Sequence, residues 1–178
     1  LSKSVSNVSS LPLSGAASDV DIVPLEVTDE SLLGEIYHLQ ITEKDIWVHH
    51  YKDKRICRFS RSGKYLNKVG KIGQGPGEFI QLSDFFIDEG RREIYIISAS
   101  RGVFVYDFDG NFKRQPTKTI VETMFGSVFN QFMIYNNHFF ILQNLPLYRE
   151  IPKDSLWSLA LVDSSYQKRK IFKNPVHI

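Results

Sequence analysis

The feature that most constrains the fold of this chain is a strand-rich segment that occurs twice in succession. Residues 35–69 and residues 83–115 each contain short apolar runs that are separated by tight turns. Ile46-Trp47-Val48 in the first segment corresponds to Ile94-Tyr95-Ile96 in the second, at an offset of about 47 residues. Short runs joined by tight turns predict an antiparallel meander of four strands in each segment.

A third and weaker copy of the same plan follows in residues 131–172. It differs from the first two because residues 144–155 are inserted between its second and third strands. The composition, with 42% hydrophobic residues, 13 Phe and 8 Tyr, favours sheet over helix. A repeat of about 40 to 50 residues is typical of propeller blades. The sequence therefore predicts an all-β fold, namely a partial β-propeller of about three four-stranded antiparallel blades.

A glycine-rich stretch joins the first two copies and is predicted to be the connector between two blades, over residues 70–82. Glycine permits positive φ, proline stiffens the path, and a phenylalanine is expected to anchor the stretch by packing between the blades. A phosphate-binding loop would continue into Lys-Ser/Thr and a helix, whereas a strand follows here. The predicted connector residues are Gly70, Gly73, Gly75, Pro76, Gly77 and Phe79.

The predicted domain organisation is a flexible lead-in followed by one repeated unit. Residues 1–19 are small, polar and rich in serine, which is typical of a tether. Residues 20–178 form the partial propeller, with blade one at about 35–69, blade two at about 83–115 and blade three at about 131–172.

A resemblance to a known family depends on a larger set of residues. The set comprises Pro24-Leu25, Leu32-Leu33-Gly34, Gly63-Lys64, the run from Gly70 to Phe79, Asp84-Phe85-Phe86-Ile87-Asp88, Ile94-Tyr95-Ile96, and Tyr106-Asp107 with Asp109-Gly110. With these residues the chain resembles the six-bladed β-propeller proteins of Bacteroides-type bacteria, which are related to NHL-repeat propellers. The resemblance covers residues 20–115 well. It implies export to the periplasm or cell surface and a lipid anchor in the full-length protein, and it implies no assigned activity.

Three blades are half of the six that the resemblance implies. A half ring leaves apolar blade faces uncovered, so the chain is expected to be a fragment of a longer protein. The alternative is that a partner chain completes the ring, which would require self-association.

Charge and cysteine content exclude several classes of function. A formal charge of +2 does not indicate nucleic-acid binding, and one cysteine, Cys57, allows no internal disulfide or multi-cysteine metal site. No apolar run reaches the length of about 20 residues that a transmembrane helix needs. His49 and His50 are adjacent on a strand, so their side chains are expected on opposite faces. The sequence predicts no catalytic residue, no metal site and no cofactor.

The candidate binding surface is the end of the propeller where long loops gather. Tyr148 and Arg149 in the inserted segment are typical recognition residues, and Tyr51, Arg55 and Arg101 lie in corresponding loops of the other two blades. The expected function is a non-catalytic binding module for a protein, peptide or glycan. Two alternatives stay open, namely a lyase or hydrolase with a metal in the channel, and a structural or assembly role.

Overall fold

The chain folds into three antiparallel sheets, as seen in a computed structural model that describes residues 15, 17–50, 54–98, 101–117, 129–135, 138–143, 159–162 and 168–172. This part of the chain contains twelve strands and no α-helix, which confirms the predicted all-β class and the four-stranded antiparallel sheets. Sheet 1 consists of β1 (Ile36–Ile41), β2 (Asp45–His50), β3 (Arg55–Ser60) and β4 (Tyr65–Val69). Sheet 2 consists of β5 (Asp84–Asp88), β6 (Glu93–Ser98), β7 (Gly102–Asp107) and β8 (Phe112–Thr117). Sheet 3 consists of β9 (Phe129–Tyr135), β10 (His138–Gln143), β11 (Leu159–Val162) and β12 (Lys168–Phe172).

In every sheet the strands lie side by side in the order of the chain. The first strands of the sheets are also neighbours, since β1 contacts β5 and β5 contacts β9. β2 and β6 are buried along their whole length, because both of their faces are covered. This explains the nearly continuous apolar run of β6, Ile94-Tyr95-Ile96-Ile97.

Sheets 1 and 2 share one hydrophobic core. The face of sheet 1 that meets sheet 2, here called the proximal face, carries Trp47, Ile56 and Val69 in this core. Burial of each large apolar side chain contributes about 1.5 to 3 kcal/mol, so neither sheet keeps this stabilisation without its neighbour. The remaining core members are Phe79, Leu82, Phe85, Ile87, Ile94, Ile96, Phe104, Tyr106 and Phe108.

The opposite face of sheet 1, here called the distal face, is covered over its outer strands by the segment before β1. Leu25 and Leu33 of this segment pack on a second cluster with Tyr65, and Glu26 N donates to Gly63 O at 2.8 Å. Residues 20–28 form no strand. The buried members of the second cluster are Ile46, Val48, Cys57 and Phe59.

The amide of Gln40 joins the two sheets at their first strands. Its Nε2 donates to Phe85 O at 3.0 Å, and its Oε1 accepts from Ile87 N at 3.1 Å. A side chain of sheet 1 thereby satisfies two backbone groups on the edge of β5, where exposed edge groups otherwise invite foreign strands.

Arg58 joins the sheets at the other end of the interface. Its guanidinium lies 5.1 Å from the ring centres of both Trp47 and Phe108, and its Nη1 donates to Phe108 O at 3.2 Å. The largely buried carboxylate of Asp45 balances its charge at 2.8 Å. Breaking such a buried pair on one side leaves an uncompensated charge, which is strongly destabilising.

The connector lies on the outer strands of sheet 2. Tyr106 Oη donates to Gly77 O, Gly75 N donates to Glu78 Oε2 at 2.9 Å, and Phe79 is fully buried between the sheets. Gly70 and Gly77 have φ of +94° and +73°, a region that favours glycine. A Cβ at Gly77 would also lie 2.5 Å from Cγ of Phe112, so this position requires glycine for two separate reasons.

We expect Gly77→Ala to lower the free energy of unfolding by at least about 2 kcal/mol, because strain at positive φ adds to the clash with Phe112. Urea denaturation followed by tryptophan fluorescence measures this loss. Gly90→Ala is the matched control, since the nearest atom to its Cβ would be Asp88 Oδ1 at an ordinary 3.5 Å. It should change stability by less than about 0.5 kcal/mol. Equal effects of the two substitutions would contradict the assigned role of Gly77.

Candidate functional site

The candidate site lies at the end of sheets 1 and 2 where β1 and β5 begin, here called the upper end. His38 and Tyr37 come from β1, His49 comes from the end of β2, and Asp84 and Phe85 open β5. His38 and His49 are directly opposite each other across the β1–β2 pair, so both side chains belong to the same face of sheet 1. These residues thus come together where sheet 1 meets sheet 2.

An irregularity in β1 directs the side chain of Tyr37 toward His49. The register of β1 against β2 shifts between Ile36 and His38, which takes Tyr37 out of the regular alternation. Its ring meets the ring of His49 edge-on at 5.3 Å between centres, although Tyr37 is next to His38 in sequence. Tyr37 is 57% exposed. Bulges of this kind often redirect side chains beside functional sites.

His38 and Asp84 form the polar centre of the site. Nδ1 of His38 lies 2.6 Å from Oδ1 of Asp84, and the two side chains are 29% and 2% exposed. Asp84 Oδ1 also accepts from Phe85 N at 2.9 Å, and the ring of His38 packs at 4.9 Å from that of Phe85. The buried carboxylate therefore fixes the orientation of the imidazole. When one ring nitrogen is bound in this way, the other nitrogen is the one presented to a ligand.

His49 forms the buried floor of the site. Its Nδ1 is buried and has no hydrogen-bond partner in the described part of the chain. Burial lowers the pKa of His49 from 6.5 to about 4, although the nearby Asp84 carboxylate acts in the opposite direction. His49 is therefore neutral at neutral pH. His50 faces the other side of β2, where its Nε2 accepts a hydrogen bond from Gly34 N.

The arrangement supplies an exposed aromatic ring, an oriented imidazole and a second imidazole that is buried and neutral. Such a combination can bind a ligand that has both hydroxyl groups and an apolar face. Within the described residues, no three His, Cys, Asp or Glu side chains are arranged to hold a metal ion. In the same part of the chain, no helix is both long enough and apolar enough to span a bilayer.

Two arginines that are predicted to bind a ligand contact the protein's own backbone. Arg101 Nη1 donates to Glu78 O at 2.7 Å and thereby holds the connector, while its guanidinium lies 5.8 Å from the ring centre of Phe104. Arg55 Nη2 donates to Leu32 O at 3.5 Å. Both arginines lie at the upper end, where the prediction put them, and their part in binding a ligand stays a prediction. The other predicted binding residues, Tyr51, Tyr148 and Arg149, lie outside the described residues.

A second polar cluster on sheet 2 is structural. Glu93 is buried at the start of β6 and accepts from Arg114 through both of its oxygens, at 2.6 and 2.7 Å. Lys113 Nζ and Tyr95 Oη also donate to it, at 2.7 and 3.0 Å. These bonds, chiefly those of Arg114, lower the pKa of Glu93 from 4.5 to about 2 despite its burial. A carboxylate that is so fully bonded holds β6 and β8 together and has little capacity left for a ligand.

A family described as a domain of unknown function, DUF4934, matches residues 1–176. The chain belongs to the DUF4934 family. No curated protein matches it.

Two solved structures resemble this DUF4934 chain in fold. One is a "putative exported protein" from Bacteroides fragilis NCTC 9343, with 21% identity, a TM-score of 0.68, and a match over 88% of this chain and 42% of that chain. The other is a member of the DUF4221 family from Bacteroides vulgatus ATCC 8482, with 14% identity, a TM-score of 0.59, and coverage of 86% and 47%. The expected likeness to proteins of Bacteroides is confirmed. The chain spans less than half of either neighbour's length.

His38 and Asp84 were not predicted as site residues, because no spacing in the sequence relates them. The repeat does contain a usable signal, since both residues fall in the first strand of their segments. The first strand of each segment is mostly apolar. A polar residue within such a strand is the pattern that would have indicated the site.

We expect the stability of the protein to fall as the pH is lowered from 6.5 to about 4, partly because of His49. In this window the unfolded chain protonates His49 and the folded chain keeps it neutral. The difference between the two pKa values corresponds to about 3 kcal/mol. Urea denaturation at several pH values should show a shallower fall for His49→Phe, which keeps an aromatic ring without a titrating group. Parallel curves for the two proteins would rule out this contribution of His49.

Proposed function

We propose that the chain is part of an exported β-propeller and acts as a non-catalytic binding module. Its ligand site lies at the upper end, and Tyr37, His38 and Asp84 form its recognition centre. The single observation that carries the proposal is the pairing of a part-exposed imidazole with a buried carboxylate beside an exposed tyrosine.

The propeller arrangement is supported by the repetition of one sheet plan. Three four-stranded sheets follow one another in the chain, each with its strands in sequence order, and their first strands are neighbours. Blades that stack around an axis place their first strands innermost. In this arrangement β1 and β5 line the central channel, and the His38–Asp84 pair lies at its mouth. The six-bladed, NHL-like relation is part of the same proposal.

The proposed ligand is an oligosaccharide. A sugar ring presents hydroxyl groups along its rim and apolar C–H groups on its faces, which suits an exposed Tyr37 beside the oriented imidazole of His38. Arg55 and Arg101 donate to backbone carbonyls, so the described contacts do not favour an acidic ligand. Aromatic rings with a few placed polar groups are typical of small-ligand sites.

We propose that the inserted segment, residues 144–155, belongs to the same site. It joins β10 to β11, which corresponds to the β2–β3 and β6–β7 connections at the upper end. Tyr148 and Arg149 are therefore proposed to contribute to the same surface, with Tyr51. Export to the periplasm or cell surface is proposed from the likeness in fold to the Bacteroides fragilis neighbour, which is named a putative exported protein. A lipid anchor on the full-length protein is proposed from the resemblance of the sequence alone.

An array of neutral and acidic oligosaccharides, probed with the purified chain, tests the binding function. We expect at least one neutral oligosaccharide to bind, and both Tyr37→Ala and His38→Ala to weaken binding about tenfold or more, since each removes a contact worth over 1.4 kcal/mol. Leu66→Ala is the control, because it removes an apolar side chain of comparable exposure on β4, away from the site. If the wild type binds but neither site variant weakens binding, the site is misplaced. If no oligosaccharide binds, the ligand class is wrong.

A second candidate function is acid–base catalysis by the same pair. The distance of 2.6 Å between His38 Nδ1 and Asp84 Oδ1 resembles the way in which a carboxylate orients a catalytic imidazole. In a lyase or hydrolase, Nε2 of His38 would then take a proton from the substrate or from an attacking water. A channel metal would need ligands beyond the described residues.

A reducing-end assay on oligosaccharides that bind the array separates the two functions. Catalysis predicts new reducing ends that His38→Gln abolishes and Asp84→Asn reduces by about 100-fold or more, because removal of an oriented base typically has such effects. Binding that leaves every oligosaccharide intact would count against catalysis. Metal analysis of the purified protein provides an independent check on the channel-metal version.

A further inference from the structure

The hydrogen bond between His38 and Asp84 has a direction that decides how the imidazole can meet a ligand. Oδ1 of Asp84 accepts from Phe85 N at 2.9 Å and also lies 2.6 Å from Nδ1 of His38. An ionised carboxylate has no proton to donate, so an oxygen that accepts from a backbone N–H is an acceptor toward its second neighbour as well. Nδ1 of His38 is therefore the donor in this bond.

The other ring nitrogen of His38, Nε2, is then an acceptor. A neutral imidazole carries a proton on one nitrogen and a lone pair on the other. In the described part of the chain, the hydrogen bond of this ring is made by Nδ1 alone, and the side chain is 29% exposed. The lone pair of Nε2 is therefore left for a molecule that comes from outside the protein.

His50 shows that a histidine of the same sheet uses Nε2 in this way. Its Nε2 accepts a hydrogen bond from Gly34 N, and the residue is buried on β2. There the donor is a backbone group of the protein itself. His38 presents the same kind of acceptor at a part-exposed position, where a ligand can supply the donor.

The charge at the site favours a ligand group with a partly positive hydrogen. Burial lowers the pKa of His49 to about 4, and the negative charge of Asp84 opposes this change, so the carboxylate acts on both rings beside it. Close to a negative charge, the hydrogen of a hydroxyl group is attracted and an anionic group is repelled. Charge and hydrogen-bond direction therefore favour the same ligand group.

We infer that Asp84 is a positioning residue that holds His38 in the tautomer protonated at Nδ1, so that the site selects ligands that donate a hydrogen bond to Nε2. This inference rests on the proposed binding function and narrows it to ligands with a donating hydroxyl group at this position. A ligand that offers an ether oxygen there would set two acceptors against each other and leave both without a donor. Sites that bond a ligand hydroxyl reject analogues that lack it.

Two-bond ¹H–¹⁵N NMR spectra of the ¹⁵N-labelled chain test the tautomer without any ligand. His38→Phe removes one set of ring signals and thereby assigns His38 among the five histidines. At about pH 8, above the ordinary histidine pKa of about 6.5, we expect Nδ1 of His38 to be protonated and Nε2 to be unprotonated. Asp84→Ala should abolish this preference, because it removes the acceptor. The wild-type spectrum decides this step even if that variant does not fold. A ring protonated at Nε2, or at both nitrogens, would overturn the inference.

Deoxyfluoro derivatives of a neutral oligosaccharide that binds the array test the selection itself, since fluorine in place of a hydroxyl cannot donate a hydrogen bond. We expect one such replacement to weaken binding to the wild type about tenfold or more, a loss of about 1.4 kcal/mol. His38→Phe keeps an aromatic ring without nitrogen and should bind the parent and this derivative equally. Leu66→Ala, on β4 away from the site, should behave as the wild type does. If every derivative binds the wild type as well as the parent does, the inference is wrong.

The two experiments separate this inference from the proposed function. Oligosaccharide binding by a chain whose His38 is protonated at Nε2 would support the function and overturn the inference. A chain that is protonated at Nδ1 and binds no oligosaccharide would support the assigned role of Asp84 and contradict the proposed ligand class.

Discussion

The structure depends on the burial of an apolar face of each sheet by its neighbour. A four-stranded antiparallel meander exposes two faces, and its own strands cannot cover either of them. In this chain the proximal face of sheet 1 covers one face of sheet 2, and Phe79 fills the space between them. The connector can follow its path only because Gly70 and Gly77 adopt positive φ. The packing of the core around Phe79 thus depends on the backbone conformation of the glycines in the connector.

Polar side chains at the sheet joint follow from the same constraint. Backbone groups on the edge of β5 must find partners once sheet 1 lies beside it, and Gln40 supplies them. Asp84 is buried at the same joint and pairs with His38. The candidate site is therefore built where two sheets meet, and a change in the packing of the sheets would also change the distance between its two central residues.

The local structure followed closely from the sequence. The segments at 35–69 and 83–115 were each predicted to form a meander of four strands, and sheets 1 and 2 have this form, because tight turns and apolar runs limit the strands from both sides. The site was less predictable. Arg101 was predicted to bind a ligand from its place in a loop, and the sequence did not indicate that its guanidinium binds connector carbonyls, since an arginine in a loop bonds whichever acceptors the tertiary fold brings near. No local rule reports which acceptors those are.

What the sequence by itself determined is the repeating plan: strands, turns, the need for glycine in the connector, and the all-β class. These features depend on interactions between residues that are close in the chain. The spacing of apolar residues and the types of residue in the turns therefore indicate them directly. Only the tertiary structure decided which residues meet across the joint. His38 and Asp84 are 46 residues apart, and the irregularity that turns Tyr37 toward His49 has no mark in the sequence. Contacts between sheets depend on how whole faces stack, and that is a property of the assembled sheets.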